Sequence, residues 1–228
     1  MEKIKLDQRL LACAEFVRKG SRLADIGTDH AYLPVFLIRE KIASYAYACD
    51  VADGPLLNAK ANIERLNAKN IELRKGDGLN AVEPNEADTF IIAGMGGDLI
   101  IKILSDCDWI KNNKYELILQ PMTSVEDLHA FLFNNGFEII NEQAVISAGR
   151  VYSVIKASFC GVKRKCSAKE YYLGRLTDNI GPAELVYIKR KRRILAKLAE
   201  DIKNIESKVD RYNGIIEVIR EIDELVGL

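Results

Sequence analysis

The chain has 228 residues, of which 48% are hydrophobic and 29% charged, and its 33 basic and 33 acidic residues cancel to zero net charge. This ordinary globular balance argues against a disordered, collagen-like or disulfide-scaffold protein, and the length suits one α/β domain of catalytic size with an appendage. Its five cysteines are widely spaced without a Cys-x-x-Cys pair and it has two histidines, so neither a disulfide framework nor a metal site is expected.

Hydrophobic periodicity predicts alternating helices and strands through the first two thirds of the chain. A first amphipathic helix follows Asp7 and stops at Gly20. Short apolar runs then alternate with helical stretches, which is typical of a parallel sheet, and we interpret them as five β/α units with Ser124 capping the last helix. The predicted strands are Arg22–Ile26, Tyr45–Asp50, Ile71–Lys75, Thr89–Ala93 and Tyr115–Gln120, and the predicted helices are Ala31–Arg39, Leu56–Leu66, Asp98–Ser105 and Val125–Asn134.

Two further strand-like runs follow without a helix between them. They are Phe137–Ala144 and Val151–Phe159, joined through Ser147–Arg150. Consecutive strands with so short a connection predict an antiparallel hairpin. A parallel sheet closed by such a hairpin differs from a two-fold repeated dinucleotide-binding domain.

From about residue 161 the composition becomes basic and then heptad-like. Residues 161–200 have a net charge of +7, which leaves the rest of the chain acidic. Pro182 suits the first turn of a helix, and the chain could turn back near Asn204–Ser207 or at Asn213-Gly214 to form an antiparallel helical hairpin. The seam predicted from alternating spacings of three and four consists of Leu195, Leu198, Ile202, Ile205, Val209, Tyr212, Ile216 and Ile219.

The loop after the first strand has the position of a nucleotide-binding loop. Asp25 and Gly27 come just before a helix, where open parallel sheets bind ligands because glycine permits close approach of the backbone. Asp29 occupies the place of the second glycine of the Gly-x-Gly-x-x-Gly fingerprint, which disfavours a phosphate there. An acid-rich loop is compatible with a cationic ligand without phosphate, such as S-adenosylmethionine.

Two more acids end the next two strands. Asp50 lies 25 residues after Asp25, where such sites keep their ribose acceptor, and Asp77 between two glycines could accept from an adenine amino group. A loop or capping role is the ordinary explanation for any one of them, but three acids at successive strand ends indicate one site. The predicted cofactor-binding residues are Asp25, Gly27, Asp50, Val51, Asp77, Gly78, Ala93, Gly94 and Met95.

The fourth and fifth strands end in further chemistry-bearing residues. Ala93–Gly97 holds three glycines in four positions, more than a plain turn requires, which favours close approach by a ligand. Gln120 places an amide at the same rim, where it could read a base edge.

The aromatic and histidine side chains leave alternatives open. His30 is either an acid/base or base-stacking residue or an ordinary loop histidine, and Tyr32 suits core packing or stacking on a base. His129 lies within an amphipathic helix, and we expect it to be structural.

Three motifs together resemble the bacterial tRNA (adenine-N1)-methyltransferases of the TrmK family, which modify the adenine at nucleotide 22. They are Gly27–Pro34, Ala93–Gly97 and Gln120-Pro121. The resemblance extends over nearly the whole chain. It implies an α/β fold with a Rossmann-like class I methyltransferase sheet, mostly parallel with a C-terminal antiparallel hairpin, plus an α-helical coiled-coil appendage. It also implies S-adenosyl-L-methionine as methyl donor and tRNA as substrate.

The chemistry expected of such an enzyme is direct displacement by adenine N1, in which the protein positions two reactants and excludes water. Asp29 is the candidate to stabilise the positive charge that develops on the ring. His30, Tyr32 and Gln120 are the other candidate catalytic residues.

We expect residues 1–160 to form the methyltransferase domain and residues 161–228 the tRNA-binding appendage, with Lys189, Arg190, Arg192 and Arg193 on phosphates. No stretch approaches the roughly 18 apolar residues of a membrane span, so a cytoplasmic protein without membrane or metal partners is expected, as a monomer or weak dimer. A methyltransferase acting on another RNA base or a small molecule, and a non-catalytic RNA-binding module, remain alternatives.

Overall fold

The computed structural model describes residues 4–227, and in this part of the chain one mixed sheet forms the centre of the molecule. Its strands are β1 (Ser21–Ile26), β2 (Ala43–Asp50), β3 (Ile71–Lys75), β4 (Thr89–Met95), β5 (Glu116–Pro121), β6 (Phe137–Ser147) and β7 (Arg150–Phe159). They are arranged in the order β3-β2-β1-β4-β5-β7-β6. The first five strands are parallel, while β7 runs antiparallel to both β5 and β6. The predicted fold class is confirmed.

Helices cover the sheet and extend beyond it. They are α1 (Gln8–Glu15), α2 (Tyr32–Arg39), α3 (Asp53–Arg65), α4 (Gly97–Ser105), α5 (Val125–Asn134), α6 (Ala168–Leu173), α7 (Pro182–Ile202) and α8 (Val209–Val226). The alternation of strand and helix agrees with the predicted elements, which place no helix after the third strand, and only a 3-10 turn, Gly78–Ala81, follows β3. The predicted count of five β/α units is therefore too high by one, because the third strand has no α-helix after it.

The predicted cap of α5 is also wrong. Ser124 has a φ of +51° and makes no side-chain capping bond, whereas capping residues normally have extended backbone. Its hydroxyl instead donates to Asp98 Oδ2 at 3.0 Å. Ser124 thus links the loop before α5 to the first turn of α4.

The hairpin of β6 and β7 is confirmed and is longer than predicted. Its turn consists of Ala148 and Gly149, whose φ values are +47° and +73°. Two residues with positive φ match the right-handed twist of the flanking strands. The strands therefore continue to Ser147 and Arg150.

Helices α7 and α8 pack as a hairpin that turns at residues 203–208, the first of the two predicted positions. Leu195 and Ile202 are buried in its seam as predicted. Ile205 and Val209, by contrast, are 39% and 49% exposed because the turn interrupts the heptad register. The fully buried residues of α8 are Ile215, Val218 and Ile222. The predicted seam residues Leu198, Tyr212, Ile216 and Ile219 are partly buried and pack against the same cluster. Helix α6 has no counterpart in the prediction.

A buried polar cluster joins α5, α6 and the segment after α6 to strands β6 and β7. Glu142 of β6 lies 3.0 Å from His129 Nε2, accepts from Ser153 Oγ at 2.5 Å, and accepts from the Arg175 amide at 2.8 Å. His129 Nδ1 lies 3.1 Å from the Tyr171 carbonyl oxygen. Burial lowers the pKa of His129, but the Glu142 carboxylate, together with the Tyr171 carbonyl and Glu126, more than offsets this effect, so the pKa is raised. This geometry agrees with a structural role for His129.

Candidate functional site

A pocket of about 370 Å³, here called the strand-end pocket, opens at the carboxyl ends of β1 and β4. Open α/β sheets bind ligands at this edge. Its walls come from α1, the loop after β1, the start of α2 and the end of β4. Polar, aromatic and small side chains share this lining, which includes Arg9, Asp25, Gly27, Thr28, Asp29, His30, Tyr32, Ala93, Gly94 and Met122.

Gly27 allows two loops to pack closely at the base of this pocket. Its φ is +82°, and a Cβ at this position would lie 2.0 Å from Met95 Cε. The amides of Gly27 and Thr28 both donate to the Cys49 carbonyl oxygen at 2.8 Å, so they bind β2 and not a ligand. The glycine is required by backbone conformation and by the packing of Met95.

Two buried polar groups lie beside Gly27. Asp25 is only 7% exposed, and burial raises the pKa of its carboxyl to about 6. The Thr28 hydroxyl is buried beside the Asp25 carboxyl, and its interaction with that carboxyl lowers the Asp25 pKa by less than burial raises it. The Asp25 carboxyl and the Thr28 hydroxyl thus form a buried polar pair in the lining of the strand-end pocket.

Asp50 and Val51 lie at the neighbouring strand end. Asp50 Oδ1 accepts from the Ala52 amide at 2.8 Å, which fixes the carboxylate at the start of α3. Val51 presents an apolar side chain that is 61% exposed. A fixed acceptor beside an exposed apolar side chain suits a ribose with an attached ring.

Asp77 lies in a more open part of the surface than Asp25. Asp77 is exposed after β3, and the cavity beside it has a volume of about 20 Å³, room for about one water molecule. Gly78 has a φ of +57°, and a Cβ there would lie 3.1 Å from Ile103 Cγ2. The absence of a side chain at Gly78 therefore permits packing against α4. The predicted contact of Gly78 with a cofactor is a separate role.

The glycines after β4 have different environments. Gly94 has a φ of +77°, and a Cβ there would meet only Arg9 Nη1, at 3.7 Å. A Cβ at Gly97 would lie 2.4 Å from the Ser124 carbonyl oxygen, so this glycine is needed for packing. Room for a ligand exists at Gly94.

Gln120 is fully buried, in contrast to the sequence-based expectation that it reads a base edge. Its Oε1 accepts from Arg9 Nη1 at 2.9 Å and from the Gly94 amide at 3.1 Å, and its Nε2 donates to the Pro121 carbonyl at 2.9 Å. Through these hydrogen bonds, the Gln120 side chain holds the Gly94 loop in position. Sequence reasoning missed Arg9, because it lies in an ordinary amphipathic helix and belongs to no motif.

The exposed aromatic side chains of the pocket form a pair. The His30 and Tyr32 rings are stacked with centroids 5.3 Å apart and an interplanar angle of 27°. His30 Nε2 lies 3.2 Å from Asp29 Oδ2, and the Asp29 side chain is 72% exposed. The pair offers a surface for stacking a base, with a carboxylate at its edge.

The basic residues of α7 divide into two groups. Lys189, Arg190 and Arg193 are exposed. Arg192 makes two hydrogen bonds to Asp223 of α8, at 2.8 and 2.9 Å. A phosphate contact by Arg192, as predicted from the sequence, would therefore have to replace these bonds, which hold the helical hairpin together.

Within residues 4–227, no helix is both long and apolar enough to cross a membrane. The same residues contain no group of three or more His, Cys, Asp or Glu side chains arranged to hold a metal ion.

Comparison with known proteins identifies relatives over most of the chain. Residues 6–155 match a methyltransferase domain family. The tRNA (adenine(22)-N(1))-methyltransferase of Bacillus subtilis is 40% identical over 159 residues, covering 69% of this chain and 66% of that protein. The crystal structure of the B. subtilis M1A22 tRNA methyltransferase TrmK matches with a TM-score of 0.82 and 30% identity, covering 98% of this chain and 100% of that one. Streptococcus pneumoniae Sp1610 in complex with S-adenosyl-L-methionine matches with a TM-score of 0.78 and 32% identity, covering 92% and 98%.

Proposed function

The chain belongs to the methyltransferase family that includes TrmK, and we propose that it transfers a methyl group from S-adenosyl-L-methionine to N1 of adenine 22 in tRNA. The observation that carries this proposal is the match over 98% of this chain and 100% of the B. subtilis enzyme, which includes the helical hairpin beyond the catalytic fold. A small-molecule methyltransferase would leave that basic hairpin without a function.

The strand-end pocket fits S-adenosyl-L-methionine, which supplies a methyl group activated by a sulfonium cation. The buried carboxyl of Asp25 and the open space at Gly94 are features that a polar, cationic ligand would use. In this proposal Asp50 accepts from the ribose hydroxyls and Val51 packs on the attached ring. The further proposed cofactor contacts are Gly27, Asp77, Gly78, Ala93 and Met95.

The side chains around the pocket act on the acceptor by orienting it and by stabilising charge. The stacked His30–Tyr32 pair supports the adenine ring. Asp29 lies at the edge of that pair, where its carboxylate stabilises the positive charge that the ring gains on methylation. Gln120 positions the Gly94 backbone. Because N1 lies on the Watson–Crick edge, the target base must be unpaired before it reaches the pocket.

We further propose that residues 1–160 form the catalytic domain and residues 161–228 hold the tRNA. Lys189, Arg190 and Arg193 are exposed on α7, and guanidinium and ammonium groups in such a row suit successive phosphates. In this proposal the protein acts as a monomer or a weak dimer. Direct displacement at N1 requires no metal.

The test is methyl transfer to defined acceptors. The full-length protein is incubated with labelled S-adenosyl-L-methionine and a tRNA transcript, and the modified nucleotide is mapped by mass spectrometry. We expect N1-methyladenine at nucleotide 22, and no product from a matched transcript with guanine there. Label in another base, or in small amines or phenols but not in tRNA, would favour the alternative substrates.

A further inference from the structure

A second cavity, of about 260 Å³, lies between the sheet and α7, and is here called the α7 cavity. It is bounded by the loop after β5, by Tyr152 of β7, and by Arg190 and Lys191 of α7. Met122 lines both the α7 cavity and the strand-end pocket. The two cavities are therefore neighbours that share a wall.

The charged residues that line the α7 cavity are Glu126, Arg190 and Lys191, which leaves one net positive charge. Lys191 Nζ lies 2.5 Å from Glu126 Oε1, so these two lining charges offset each other. Arg190 is exposed, and its Nη1 donates to the Val151 carbonyl oxygen at 3.5 Å. Its guanidinium thus remains at the cavity with a charge that an anionic ligand can match.

An aromatic ring stands at the shared wall. Tyr152 is half-buried, and the Arg9 guanidinium lies 5.6 Å from its ring centroid. Arg9 Nη1 also lies 3.5 Å from Met122 Sδ. Arg9, Met122 and Tyr152 together form the partition between the two cavities.

The size of the α7 cavity limits its occupant. A volume of about 260 Å³ falls below the roughly 300–1,000 Å³ of sites for whole small ligands. It suits one unit of a polymer that continues outside, and an aromatic ring with an arginine is the combination that binds one base and one phosphate of a single-stranded nucleic acid.

We propose that the α7 cavity binds the nucleotide next to the target adenine, with its base against Tyr152 and its phosphate on Arg190. The inference rests on the proposed function, because it assumes that the adenine of a tRNA occupies the strand-end pocket. The shared wall at Met122 brings the neighbouring nucleotide to this cavity. Occupation of both cavities would keep the target base from stacking back on its neighbour.

Photo-crosslinking with the wild-type protein tests this placement. Transcripts carry 4-thiouridine directly before or directly after adenine 22, and a control transcript carries it in the anticodon loop. We expect at least one flanking probe to crosslink within residues 121–126, 151–153 or 187–194, and the anticodon probe to crosslink elsewhere. Flanking crosslinks found only outside these ranges would overturn the inference.

Kinetics of two matched variants provide the second test. Tyr152→Ala should raise KM for tRNA about 10-fold and leave the Kd for S-adenosyl-L-methionine unchanged, while Tyr152→Phe keeps the ring and the wild-type KM. If the wild-type protein methylates tRNA and Tyr152→Ala leaves KM unchanged, the inference fails and the proposed function stands. If the wild-type protein methylates no tRNA, the proposed function itself fails.

Discussion

The guanidinium of Arg9 donates to the side-chain oxygen of Gln120 across 2.9 Å, although the two residues are 111 positions apart in the sequence. The same oxygen accepts from the Gly94 amide. Asp7 caps α1 and lies 2.6 Å from Arg9 Nη2, which fixes the arginine to its own helix. The backbone of the strand-end pocket is thus held in place by the first helix of the chain.

Replacing this arginine should damage both stability and activity. Arg9→Met removes a charge-assisted hydrogen bond, so we expect the free energy of unfolding to fall by about 1.5–3 kcal/mol and the rate of tRNA methylation to fall about 10-fold. Urea unfolding and single-turnover methylation measure the two effects. Arg18→Met is the control, because the Arg18 side chain is 59% exposed and its nearest carboxylates lie at 3.6 and 4.0 Å. Equal effects of the two variants would remove the positioning role.

The ribose role of Asp50 is tested by calorimetry with S-adenosylhomocysteine. Asp50→Ala should weaken binding about 10-fold or more, because charge-assisted hydrogen bonds to the ribose hydroxyls are lost. Asp50→Asn retains an acceptor for the Ala52 amide and separates ligand binding from the start of α3. Asp53→Ala is the matched control, since Asp53 pairs with Lys75 at 2.7 Å and is 74% exposed. Unchanged affinity in Asp50→Ala would exclude the ribose contact.

Asp29 is expected to act on the reaction more than on donor binding. Asp29→Asn removes a charge that is needed chiefly when the adenine ring becomes cationic, so the methylation rate at saturating substrates should fall at least 10-fold while donor affinity changes little. Single-turnover rates and calorimetry on the same preparation give the two numbers. Parallel losses in rate and affinity would make Asp29 a cofactor-binding residue instead.

The pKa of Asp25 predicts a pH-dependent stability. Its folded-state pKa of about 6 lies above the ordinary value of 3.8, so the native state binds more protons between these values and stability falls as the pH rises through this window. At 1.36 kcal/mol per pH unit, the cost at neutral pH is on the order of 2–3 kcal/mol. Asp25→Asn has no carboxyl to ionise and should not bear this cost. Its free energy of unfolding relative to wild type should therefore increase between pH 4 and pH 6 in denaturant titrations. A difference that is constant with pH would contradict this prediction.

The salt dependence of tRNA binding tests the exposed basic residues of α7. Substituting Lys189, Arg190 and Arg193 together by glutamine should lower the slope of log K against log salt by about 0.7–0.9 for each phosphate that the protein no longer neutralises. Arg192→Gln is the contrasting variant, because Arg192 bonds to Asp223 and its replacement should reduce the stability of the hairpin with little change in slope. An unchanged slope in the triple variant would end the proposal that these side chains bind phosphates.

The strands of the sheet and the position of the acids were predictable from local patterns. Alternating short apolar runs and helical periods indicate a parallel sheet, and the carboxyl ends of its strands must meet at one edge, which is why Asp25 and Asp50 could be assigned to it. Arg9 was not predictable, because its function depends on a contact with Gln120 far away in the sequence. The burial of Gln120 was not predictable for the same reason.

Backbone conformation explains the remaining differences. Gly97 resembled a ligand-binding glycine in sequence, but its lack of a side chain admits the carbonyl oxygen of Ser124. The fully buried positions of α8 differ from the predicted ones because the turn between Ile202 and Val209 interrupts the heptad register. Such features depend on how distant segments pack.

The buried cluster at Glu142 has a consequence for protein engineering. A cut at residue 160 would remove the Arg175 amide that bonds to Glu142 and the Tyr171 carbonyl that faces His129, so each of these two buried side chains would lose a hydrogen-bond partner. It would also remove Glu184, whose carboxylate accepts from the Ala144 amide at 2.7 Å. The helical hairpin therefore cannot be transferred to another protein on its own. A chimera that grafts it onto another methyltransferase must bring the matching surface of β6 and α5 with it.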